Sequence, residues 1–61
     1  MGRIRVVMYT RTGCHLCEDA WRMLGEFKAR YALDLECVDV DTDAELARVH
    51  GERVPVIEVN G

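Results

Sequence analysis

Two cysteines, Cys14 and Cys17, bracket His15 and Leu16. Thiols at this spacing can cycle between dithiol and disulfide, or offer two ligands to a metal. Which chemistry they serve depends on where the pair sits. Ile4-Arg5-Val6-Val7-Met8-Tyr9 is an apolar, valine-rich run and predicts a strand covered on both faces. Thr10-Arg11-Thr12-Gly13 reads as a turn. From His15 to about Tyr31 the apolar spacing is helical. The pair therefore opens a helix. Cys14 is expected at the N-cap, exposed, with the positive end of the helix dipole and unpaired N–H groups aimed at its sulfur. Both favour the thiolate, which is the nucleophile. Cys17, one turn on, is expected to be more buried and to attack a mixed disulfide formed at Cys14, leaving a Cys14–Cys17 disulfide. A protonated His15 beside the sulfur would stabilise the thiolate and make the pair more oxidising. An exposed, neutral imidazole would do neither. The bland alternative for the cysteines is a passive disulfide or a pair of core thiols.

The elements around the pair follow from pattern. Leu16, Ala20, Leu24, Phe27 and Tyr31 fall on one helical face, and Gly25 within that helix predicts close packing against a neighbour. Leu33 to Val40 reads as a second strand, with Leu33, Leu35 and Cys37 alternating against Asp34, Glu36 and Val38. Thr42 and Glu45 fit a capping box, so a short helix is expected from about Asp43 to Val49, with Gly51 as its stop. Asp41 and Asp43 sit where a helix start stabilises carboxylates, and His50 where a helix end favours a cation. Val54 to Val59 is a third strand, and Asn60-Gly61 is a hairpin-turn signal. Trp21 and Met8 are expected to pack in the interior, and Cys37 to be an inert buried thiol. The order strand, helix, strand, helix, strand implies an α/β domain whose first two strands are parallel, joined by a right-handed crossover.

The chain has 61 residues, room for one domain that buries roughly 60% of its unfolded surface. Its apolar fraction of 49% is that of a globular protein. Net charge is −3 with both signs interspersed, so no basic stripe exists for nucleic acid. No long apolar run or signal peptide suggests a membrane or secreted form, and the cytoplasm is the expected compartment. Three cysteines, an odd number, argue against a secreted disulfide framework.

Val6-Val7-Met8-Tyr9 followed by Thr10-Arg11-Thr12-Gly13-Cys14-His15-Leu16-Cys17 resembles the strand, turn and CxxC of the glutaredoxin family, within the thioredoxin-like fold. Val38-Asp39-Val40-Asp41-Thr42-Asp43 is similar to the end of the family's second strand, and Arg53-Val54-Pro55 to its cis-proline segment. The Cys-His-Leu-Cys form looks like the glutaredoxin-like proteins of bacteria. The resemblance implies a β-α-β-α-β thioredoxin-like arrangement lacking the usual last hairpin strand and C-terminal helix. Residues 1–61 are thus expected to be a single glutaredoxin-like domain truncated at its C-terminus. It also implies a thiol–disulfide oxidoreductase that reduces protein or glutathione mixed disulfides. No tightly bound cofactor is expected, glutathione or a reductase serves as electron donor, and neither nucleic acid nor membrane is a partner. Arg11 occupies the basic position of glutaredoxin-like sites, where it stabilises the thiolate or holds a glutathione carboxylate, or is merely solvated. The Val54-Pro55 bond is expected to be cis, facing the cysteines, with the Val54 backbone pairing with an extended substrate. Two other classes remain open. One is zinc binding by Cys14, Cys17, Cys37 and His50. The other is a redox-inactive scaffold that binds a partner through the open edge of its third strand.

Overall fold

The computed structural model describes residues 3–60. In chain order they form β1 (Ile4–Thr10), α1 (His15–Lys28), β2 (Leu33–Asp39), a single 3-10 turn (Val40–Thr42), α2 (Ala44–His50) and β3 (Val56–Val59). The strands make one sheet in the order β2-β1-β3. β1 runs parallel to β2, from Ile4 opposite Leu33 to Thr10 opposite Asp39. It runs antiparallel to β3, from Val6 opposite Val59 to Tyr9 opposite Val56. This is the expected β-α-β-α-β order.

Alternation along the strands sorts the sheet into two unlike faces. Ile4, Val6 and Met8 of β1 share a face with Leu33, Leu35 and Cys37 of β2 and Ile57 and Val59 of β3. Val6, Met8 and Leu33 on it are buried. Arg5, Val7 and Tyr9 point the other way. There Arg5 reaches Glu36 at 3.3 Å, and the Tyr9 hydroxyl donates to Glu58 at 3.0 Å. α2 lies on this second face, where the His50 ring stacks on Tyr9 with centroids 4.5 Å apart. α1, the element left, covers the apolar face and sets Cys17 into the core. β1 is therefore covered on both faces only at Val6, Val7 and Met8, while Ile4 and Arg5 are exposed.

Several expectations need correction. α1 ends at Lys28, not near Tyr31. Arg30 and Tyr31 both donate to the Phe27 carbonyl, which tightens the chain for its reversal into β2. The buried stripe of α1 is Cys17 with the half-buried Ala20 and Leu24. Leu16 is 68% exposed, and Phe27 and Tyr31 are also outside, because three strands offer a helix only a narrow seat. Trp21 is exposed rather than interior, and so is Cys37, which lies mid-strand at the edge of the sheet. Gly25 packs against no neighbouring element: beyond its own stretch of helix backbone, a Cβ there would find no atom within 4 Å. Thr42 does not cap α2. Its hydroxyl donates to the Asp39 carbonyl at 2.7 Å and closes the 3-10 turn, while Asp43 Oδ1 accepts from Glu45 and Leu46 at 2.8 and 3.3 Å. β3 begins at Val56, two residues later than expected, after a cis Val54-Pro55 bond. Asn60 adopts φ 57°, a left-handed conformation that asparagine tolerates. Gly61, the other half of the expected turn, lies outside the described residues.

Gly51 ends α2 for a reason of space. Its φ of −53° is open to any residue, yet a Cβ would run into the Ala47 carbonyl oxygen and come within 2.8 Å of Arg11 Nη2. The helix backbone cannot yield cheaply. Gly51→Ala should therefore destabilise the fold by about 1–3 kcal/mol. Gly25→Ala, in open space within a helix, should stabilise it by about 0.5–1 kcal/mol. Thermal melts of the two variants check this, with shifts of opposite sign expected.

Candidate functional site

β1 ends at Thr10, and Gly13, at φ 81°, turns the chain with a conformation suited to glycine. Cys14 follows as the N-cap of α1, extended at φ −90° and ψ 104°. Its amide donates to the Arg11 carbonyl at 3.3 Å and its carbonyl accepts from Glu18 at 3.2 Å. Its sulfur takes the place of a capping oxygen, since the Cys17 amide donates to Cys14 Sγ at 3.1 Å. Cys14 and Cys17 are joined as a disulfide, with Cα atoms 5.2 Å apart. Cys17 is buried, only 2% exposed, whereas Cys14 is half-buried. The pair is thus asymmetric, with one accessible and one sheltered sulfur.

The cis Val54-Pro55 bond lies at the same end of the sheet. Tyr9 pairs with Val56 in antiparallel register, so one step further Pro55 falls opposite Thr10. Antiparallel pairing thus brings residues more than forty positions apart in the chain to one edge.

Arg11 does not reach into open solvent. Its Nε and Nη2 donate to the two carboxylate oxygens of Asp41 at 3.0 and 2.9 Å, and Nη1 donates to the Gly51 carbonyl at 3.1 Å. The hydrogen bond to Asp41, and then its charge, raise the Arg11 pKa further above its ordinary value. Asp41 was legible in the sequence only as a carboxylate near a helix start. Its match to Arg11, thirty residues away, needs the parallel β1–β2 register to be seen. His15 projects into solvent, its side chain 95% exposed, with Nδ1 3.9 Å from Glu18.

The four residues weighed for zinc do not come together. Cys14 and Cys17 are bonded to each other. Cys37 stands opposite Met8 on the apolar face, while His50 stacks on Tyr9 on the other. Among the described residues, no three His, Cys, Asp or Glu side chains gather as a metal would require. The Cys37 thiol is pushed above its ordinary pKa, first by partial burial of the group and then by the charge of Asp39. Among the described residues, no helix is long and apolar enough to cross a membrane.

A family model described as a glutaredoxin-like domain (DUF836) matches residues 5–61. The chain is also 32% identical over 66 aligned residues to the uncharacterized proteins Mb0520 of Mycobacterium bovis and Rv0508 of Mycobacterium tuberculosis. The match takes in all of this chain and 68% of each relative.

Tyr9 carries a titration beside the site. The hydrogen bond to Glu58 is the main cause that raises its pKa above the ordinary 10.0, followed by partial desolvation and the Glu58 charge. A raised folded value means that the protonated phenol is favoured by folding. Its contribution is complete below pH about 10 and is lost as pH climbs through the raised folded value. In a Tyr31→Phe background, phenolate absorbance should therefore rise with a midpoint above that of free tyrosine. Glu58→Gln should move that midpoint downward.

Proposed function

The chain belongs to the glutaredoxin-like domain family, and from that membership we propose that it is a thiol–disulfide oxidoreductase reducing protein or glutathione mixed disulfides. One observation carries the reading. A buried sulfur and an accessible one are bonded at a helix N-terminus, and the Cys17 amide already donates to the accessible sulfur. An amide and a helix dipole aimed at sulfur lower a thiol's pKa, in known cases to about 3.5–7.5.

In the reduced protein, the Cys14 thiolate attacks one sulfur of a substrate disulfide. A Cys14 mixed disulfide forms, and the other substrate sulfur leaves as a thiolate. The Cys17 thiol then gives up its proton to solvent, and its sulfur attacks Cys14 Sγ. The second substrate sulfur leaves as a thiolate and the Cys14–Cys17 disulfide closes. Two electrons have passed from the dithiol to the substrate. A thiol reductant, glutathione or a reductase, restores the dithiol by the same exchange run in reverse. The burial of Cys17 suits its second position in the sequence, since intermolecular disulfides reach Cys14 first.

In this reading the segment around Val54 and Pro55 receives the substrate chain. Proline has no N–H to offer, so pairing with an extended peptide falls to the Val54 backbone, strand to strand. His15, exposed next to the nucleophile, is the side chain an incoming substrate meets first. The reaction needs no bound cofactor beyond the thiol donor, and a reducing compartment such as the cytoplasm suits it.

Cys14→Ser should abolish disulfide reduction. Cys17→Ser should accumulate a Cys14 adduct with substrate, seen by mass spectrometry as an added mass removed by dithiothreitol. Failure to trap any adduct would remove the assignment of the two roles. In the reduced wild type at pH 7, alkylation should label Cys14 at least tenfold faster than Cys37, on the order expected when one thiol ionises a pH unit or more earlier.

A further inference from the structure

Three chain segments meet at the Arg11 guanidinium. The first is its own turn, which carries Cys14 through the bond from the Cys14 amide to the Arg11 carbonyl. The second is the 3-10 turn after β2, which supplies both carboxylate oxygens of Asp41. The third is the end of α2, which supplies the Gly51 carbonyl. From Gly51 the chain runs through Arg53, whose amide donates to the His50 carbonyl at 2.8 Å, directly into Val54 and Pro55. We propose that Asp41 is a positioning residue for the dithiol site: by gripping Arg11 it locks the turn that carries Cys14 onto the turn that presents Val54 and Pro55.

The fit argues for a built joint. A planar guanidinium offers a fork that matches a carboxylate edge and still leaves a nitrogen for a carbonyl, which an ammonium group cannot do. Space for it is made by Gly51, where a Cβ would press on Nη2. Nε, Nη1 and Nη2 each donate within the protein, which fixes the guanidinium in one orientation. The inference rests on the oxidoreductase reading for its chemical consequence, and on the contacts alone for the mechanical one.

The test compares two reagents for Cys14 in the reduced full chain, with the modified site read by mass spectrometry. One is an extended peptide whose cysteine is bonded to thionitrobenzoate, and the other is iodoacetamide, which needs no docking. Asp41→Asn and Arg11→Lys should each slow reaction with the peptide disulfide by about tenfold, since misplacement by about 1 Å can cost up to a hundredfold. Neither should change the iodoacetamide rate or its pH midpoint, because the Cys17 amide still faces the sulfur. Asp41→Asn should also speed hydrogen exchange at the Cys14 and Arg53 amides together. An unchanged peptide rate in either variant overturns the proposal. So does a loss shared by both reagents, or a moved pH midpoint, which would place the effect on the thiolate itself. If wild-type Cys14 ignores the peptide disulfide, the oxidoreductase reading falls. The joint is then judged by exchange alone, and an unaltered Arg53 amide overturns it.

Discussion

β1 has to satisfy backbone hydrogen bonds along both of its edges, and the rest of the architecture follows from that demand. Its parallel neighbour requires a crossover, which α1 provides, and its antiparallel neighbour requires the chain to return from the far end. Together they bring the carboxyl ends of β1 and β2 and the start of β3 to one edge of the sheet. Cys14, Asp41 and Pro55 all lie just beyond that edge. None of them neighbours another in sequence, and the central strand is what gathers them at one end of the sheet.

The two faces of the sheet show how a short chain divides its means. One face is apolar until the polar pair Thr10 and Asp39 at its end, and takes α1. The other carries the cross-strand pairs Arg5–Glu36 and Tyr9–Glu58 and is covered by α2 where His50 stacks on Tyr9. An exposed ion pair such as Arg5–Glu36 adds little to stability. Together with the Tyr9–Glu58 hydrogen bond it favours one lateral pairing of strands over others. The joint at Arg11 differs because its geometry is bidentate and a third contact closes it.

Much of this was legible in the residues. The valine-rich run, the turn after it, the helix opened by Cys14 and the existence of a third strand around Val56 to Val59 are all recorded in local pattern, and their order implies the parallel pair. What could not be read was whatever depends on long-range contact. Whether Arg11 faces the dithiol, a ligand or Asp41 is decided by the β1–β2 register. The inward or outward setting of Trp21, Phe27 and Cys37 is decided by how much sheet exists to cover them. Periodicity marks an apolar face without saying how wide a seat it will find. Thr42 and Asp43 are both good caps. The choice between them is made by the 3-10 turn, which already uses the threonine hydroxyl.

The amide of Cys17 has a consequence for what happens when charge appears on sulfur. It is rooted in the first turn of α1 and points at Cys14 while the two sulfurs are still bonded. When the bond opens, the new anion meets a dipole that is already oriented. Solvent would have to rearrange to do the same work, and a rigid peptide does not. In the exchange reaction proposed above, this arrangement would carry a small reorganisation cost, built into the backbone.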